Sequence, residues 1–198
     1  EQAWPQARTA DELHEALCGL GVLTEDEVAG AAHWPGLLDK LVAAGRATRL
    51  VLDDGAGLWV AAERLALLQQ LHPLGRPQPP LAWVPASEAV GPEDAAIALL
   101  RMRLSGLGPV TPARLAAGLQ LPPATVQAAL AALQREGSAM QGVFTPGAPD
   151  PEWCERHLLA RIHRYTLHQL RREIEPVEPR DFMRFLFDWQ HVGAASRM

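Results

Sequence analysis

Two five-residue segments constrain this chain more than anything else in it. Leu20-Gly21-Val22-Leu23-Thr24 and Leu107-Gly108-Pro109-Val110-Thr111 each follow an amphipathic helical pattern, and in each the Thr opens a second helix. Self-similarity of this kind marks one supersecondary plan used twice, so the fold is expected to be a tandem.

The first copy reads out over residues 8–72. Thr9 or Asp11 caps a helix with Leu13, Ala16, Leu17 and Leu20 on its inner side, and Gly21 stops it. Thr24-Glu25-Asp26-Glu27 has the form of a capping box, so a short helix follows to about Ala31. Trp34-Pro35-Gly36 is expected to break it, before a third helix with Leu37, Leu38, Leu41 and Val42 that ends at Gly45. Arg46–Leu52, the turn Asp53-Asp54-Gly55 and Leu58–Ala61 then read as a β-hairpin. Three helices followed by a hairpin is the winged-helix order, and a helix at about Ala62–Leu71 trails it.

Residues 73–91 hold Pro73, Pro77, Pro79, Pro80 and Pro85 and few periodic apolar positions, which predicts a linker or extended crossing segment rather than an element. The plan then repeats over 92–147. Ala95–Leu107 is the first helix, Thr111 caps Pro112–Gly118, and Leu121-Pro122-Pro123 is the turn. Ala124–Glu136 is the third helix, buried through Val126, Ala129, Leu130 and Leu133, and Ala139–Thr145 would form the wing. A third helix that reads DNA exposes polar and basic side chains. Here the exposed candidates are Thr125, Gln127, Gln134 and Arg135, and in the first copy only His33 and Lys40. These sets are thin, so a structural role for either copy stays open.

Residues 148–198 are expected to form an arginine-rich helical hairpin. From Trp153 onward, Leu158, Leu159, Ile162, Thr166, Leu170 and Ile174 fall on one side of a helix, with Tyr165 at the edge. His157, Arg161, Arg164, His168, Arg171 and Arg172 share an opposite arc of roughly 100°. No acid lies between Glu155 and Glu173, so these arginines have no partner on their own helix. Together with Arg156 they need an anion from elsewhere: phosphates, or carboxylates of another domain. Both readings stay open. Pro176 and Pro179 end this helix, and a second from about Asp181 to Gln190 carries Phe182, Phe185, Leu186 and Trp189, predicting a hairpin with an aromatic interface.

Composition narrows the chemistry. The net charge is -5, so the chain is not basic overall; the Arg156–Arg172 stretch nonetheless concentrates five arginines and three histidines. With Lys40 the single lysine and alanine abundant, a GC-rich bacterial genome is the expected source. The mean hydropathy of -0.05 and the absence of any eighteen-residue apolar run predict no membrane span, and only two cysteines fit a reducing cytosol. Cys18 and Cys154 stand far apart without a CxxC spacing, which argues against disulfides and cysteine-based zinc sites. No phosphate-binding lysine loop and no HExxH occurs, so no catalytic, cofactor or metal residue is expected. Cys154 is placed at a helix start, where a thiolate would be favoured, although most such cysteines are packing residues. The ends of the chain suggest a fragment of a larger protein.

Glu152-Trp153-Cys154-Glu155, Arg161 to Leu167, Arg171 to Val177 and Phe182 to Val192 closely resemble the bacterial large helicase-related (Lhr) family, and Gly108 to Gly147 looks like the same family's winged-helix region. The resemblance implies a parent that is an ATP-dependent 3′-to-5′ DNA helicase tied to DNA repair, with a glycosylase-like region behind its motor. It implies that ATP and Mg2+ belong to motor domains outside this chain. No two glutamines are two apart, so the Gln-x-Gln signature of AlkZ-type glycosylases is lacking here. The expectation is therefore an accessory DNA-binding or assembly module without catalysis of its own. Its expected partners are single-stranded or duplex DNA read without sequence preference, the remaining parent domains, and a further copy of the chain.

Overall fold

The structure, a computed structural model, describes residues 4–84, 91–173 and 177–190. Among these the chain is mainly helical, with two small antiparallel sheets. Pro85, Ile174, Pro176, His191 and Val192, for which the sequence also makes predictions, lie outside the described residues.

The first copy begins with α1 (Ala10–Leu20). Thr9 closes a full capping box with Glu12, and Gly21 ends the helix at φ 78°. Leu13, Leu17 and Leu20 are its buried positions. β1 (Leu23–Thr24) leads into α2 (Glu25–Ala29), where Thr24 and Glu27 cap each other's backbone amides. The sequence expectation fails at Trp34-Pro35-Gly36. These residues do not break a helix but open α3 (Trp34–Ala43), with Trp34 fully buried. A proline in the first turn removes an amide that has no intrahelical partner, so it suits that position. Trp34 Nε1 and His33 Nε2 both reach the carbonyl of Ala7, at 3.1 and 2.7 Å, and tie the N-terminal segment to α3.

β2 (Ala47–Val51) and β3 (Gly57–Ala61) form the expected hairpin, turned by Gly55 at φ 87° with Asp54 accepting from the Ala56 amide. α4 (Ala62–Leu71) follows. The proline-rich stretch contains an element that its composition argues against. β4 (Arg76–Gln78) pairs with β2 at the edge of a sheet ordered β1-β3-β2-β4. An edge strand tolerates Pro77 because one side of it needs no ladder donor. Buried Thr48 donates to the Pro79 carbonyl at 2.6 Å and fixes the segment beyond.

The second copy is α5 (Pro92–Gly106), α6 (Pro112–Leu119), α7 (Pro123–Arg135), β5 (Ala139–Gly142) and β6 (Glu152–Glu155). Thr111 caps α6 as expected. Of the span 139–145 expected as a wing, the strand covers only Ala139–Gly142, and its partner is β6. Trp153–Glu155 are thus strand, not the start of a helix. The two copies correspond in pairing: Leu23 lies opposite Trp59, and Val110 bridges Trp153. In each, the residue before the capping Thr is stitched to a tryptophan on the last strand.

The described residues up to Leu159 form one compact unit (the 1–159 unit), with the two copies packed on a shared core. Leu50, Leu58, Val60, Leu65 and Leu68 of the first copy belong to the same buried cluster as Leu99, Leu100, Leu104, Leu115 and Leu130 of the second. α5 is the central element, packing against α1, α4 and α7. Arg103 on α5 is buried; it donates to the Val22 carbonyl at 2.7 Å, pairs with Glu27 and lies over the Trp4 ring.

Glu152 is the other buried charge whose role is clear. Its carboxylate accepts from the Thr145 amide (2.7 Å), the Thr145 hydroxyl (2.9 Å) and the Phe144 amide (3.1 Å), holding the β5–β6 connection. Burial opposes its ionisation, but these hydrogen bonds outweigh burial and hold its pKa below the ordinary glutamate value. A depressed folded-state pKa gives stability that is present above the unfolded value and lost as pH falls through the folded one. Acid unfolding should therefore show a smaller loss of stability below pH 4.5 in Glu152→Gln than in the parent chain. Parallel acid titrations of the two would refute this assignment.

Candidate nucleic-acid interface

α8 (Arg156–Glu173) holds most of the candidate residues. Its start is set by Glu155, whose carboxylate accepts from the His157 and Leu158 amides at 2.9 and 2.6 Å. An acid there satisfies two amides without intrahelical partners and complements the helix dipole, as Arg171 and Arg172 do in the last turn. Neither Pro nor Gly interrupts the eighteen residues, and Thr166 returns its hydroxyl proton to the Ile162 carbonyl at 3.0 Å.

Leu158 is buried, but every described side chain from Ala160 through Arg172 is exposed. Arg161, Arg164, His168, Arg171 and Arg172 therefore lie in solvent on one arc of the helix. Among the described residues none of these arginines has an ion pair; the pairs that form involve Arg46, Arg49, Arg101 and Arg103, together with His14. Along the axis Arg161 and Arg164 are about 5 Å apart and Arg171 lies about 10 Å further on, with His168 on the turn between.

Arg156 belongs to the unit that ends at Leu159, its amide bonded to the Ser138 carbonyl and its guanidinium beside Gly137. The structure thereby brings it to the turn that follows α7, close in the chain to Arg135. On α7 itself Gln127, Gln134 and Arg135 are exposed and Thr125 is half-buried, while Val126, Ala129, Leu130 and Leu133 face the core. In the first copy Lys40 is exposed, but the His33 ring is taken up by Ala7. Exposed basic residues are thus more numerous on α8 than on either third helix.

Among the described residues the expected aromatic interface between the last two helices is not formed. α9 (Pro179–Trp189) has no buried residue, and Phe182, Phe185 and Trp189 remain 49%, 54% and 72% exposed. Phe185 and Trp189 contact each other within the helix, with ring centroids 5.7 Å apart. α9 opens at Pro179, two residues before the expected Asp181, and Glu178 precedes it without a side-chain cap. Cys154 is no reactive thiolate either. On β6 it is fully buried, and burial first, then the charge of Glu155, pushes its pKa up to about 11.

The sequence also misses one cluster. His14 and Cys18 on α1 meet Glu63 in the first turn of α4, with their ligand atoms within 4.8 Å of one another. The i,i+4 spacing of His14 and Cys18 was its local signal; Glu63 could not be matched to them from spacing.

No family model matches the chain. It is similar to the Lhr helicase/probable uracil glycosylase of Mycolicibacterium smegmatis, 32% identical over 193 residues. That alignment takes in 96% of this chain but 12% of the relative. The chain is thus homologous to one region of that protein. No described helix is long and apolar enough to cross a membrane.

Proposed function

We propose that this chain is an accessory, DNA-engaging region of an Lhr-type helicase, built as two winged helices followed by an arginine-bearing helix. Homology to a region of an Lhr helicase/probable uracil glycosylase supports the placement in such a parent. The order helix, helix, helix, strand pair in both copies, with matching Leu23–Trp59 and Val110–Trp153 pairings, supports the winged-helix reading. The observation that carries the DNA role is the exposed arc of Arg161, Arg164, Arg171 and Arg172, without an ion pair among the described residues.

Arg161 and Arg164 lie about 5 Å apart along the axis and Arg171 about 10 Å beyond, steps that long side chains can match to phosphates recurring roughly every 3.4 Å along one strand. Phosphate contacts carry no sequence information. ATP hydrolysis and base excision belong, in this reading, to other parts of the parent. The chain with its -5 net charge binds weakly. Fluorescence anisotropy should give a Kd of about 1 to 100 µM at physiological salt, similar for unrelated sequences and tightening as salt falls. Absence of binding at low salt would remove the DNA role.

Assembly against other parent domains is the second reading. The exposed row of Phe182, Phe185 and Trp189 on α9 favours it, because large apolar surfaces seldom stay uncovered.

A further inference from the structure

His14 Nε2 lies 3.1 Å from Glu63 Oε2, Cys18 Sγ lies 3.8 Å from the same oxygen, and Sγ to Nε2 is 3.9 Å. A tetrahedral zinc ion bound at about 2.0–2.1 Å to nitrogen, about 2.0–2.2 Å to oxygen and about 2.3 Å to sulfur requires ligand separations of about 3.4–3.6 Å. All three observed distances fall within about 0.4 Å of that range, so side-chain adjustments alone would close the site. We propose that His14, Cys18 and Glu63 form a Zn2+ site that ties α1 to the first turn of α4, with water as the fourth ligand.

The donors are placed by rigid structure. His14 and Cys18 are one turn apart on the same face of α1, and Glu63 is held by the start of α4 directly after β3. Arg64 Nε donates to the Cys18 carbonyl at 3.0 Å, which fixes the register of the two helices at this point. His14 is largely enclosed, whereas Glu63 is 45% exposed and gives the fourth position access to solvent. The mixed nitrogen, sulfur and oxygen set suits a borderline-soft cation such as zinc and not magnesium or calcium. Without metal, burial and then the neighbouring Glu63 charge raise the Cys18 pKa, so the sulfur carries its proton. Metal binding replaces that proton and should tighten with rising pH.

Titration of the whole chain with Zn2+ against a chromophoric chelator should show one ion bound per chain. Cys18→Ser and His14→Ala should weaken it at least 100-fold, and Glu63→Gln about 10-fold. Co2+ loaded into the unaltered chain should give a thiolate charge-transfer band and tetrahedral visible absorption, which needs no variant to fold. The band should vanish in Cys18→Ser. No stoichiometric uptake, a cobalt spectrum without thiolate character, or unchanged affinity in a folded Cys18→Ser chain would each overturn the site.

Discussion

Arg103→Ala lowers the stability of the 1–159 unit by about 3 kcal/mol, because removing one partner of a buried pair leaves the other without its counter-charge. Arg103 is 3% exposed and satisfies Glu27 and the Val22 carbonyl of the first copy from α5 of the second. It therefore links the copies, and its loss should act on both together. Thermal unfolding should move down by roughly 6–12 °C for a chain of this length, as one transition. Arg103→Lys should recover only part, since an ammonium lacks the planar fork that reaches both acceptors. A fall under about 1 kcal/mol for Arg103→Ala would mean that the copies are held by apolar packing alone.

Gly21→Ala destabilises the chain by about 2–4 kcal/mol, while Gly108→Ala, its counterpart in the repeat, changes stability by less than about 0.5 kcal/mol. Gly21 has φ 78°, and an added Cβ would lie 2.8 Å from Leu99 Cδ1 and 2.9 Å from Met102 Cε. Two costs thus coincide there: an unfavourable backbone region for an L-residue and overpacking of the α1–α5 contact. Gly108 has no positive φ and open space around its Cα. Urea titrations of the two variants check the contrast. Equal effects would show that the repeated glycine serves only the turn.

The contrast also marks what the sequence could reveal. The capping residues Thr9, Thr24 and Thr111 are legible because a cap is a local bargain between a side chain and amides two or three residues on. The Asp53-Asp54-Gly55 turn is legible for the same reason. β6 is not, since Trp153-Cys154-Glu155 directly precedes a long helical pattern and its pairing partner begins at Ala139. Buried Arg103 stands among Leu99, Leu100 and Leu104, and its acceptor Glu27 is 76 residues away. Glu63 likewise stands 49 residues from His14 and 45 from Cys18.

Amphipathicity has a similar limit on the last two helices. The pattern of Leu170, Phe182, Phe185 and Trp189 specifies an apolar side without specifying its cover, and all four are exposed. The arginine arc was legible, because the absence of acids between Glu155 and Glu173 is written in the sequence. Its chemistry depends on what meets it. Low-salt binding of fluorescent DNA to the triple variant Arg161→Glu, Arg164→Glu, Arg171→Glu tests this most directly. The account predicts that binding is lost while the helical circular dichroism is unchanged. A folded triple variant that binds DNA as tightly as the parent chain would contradict it.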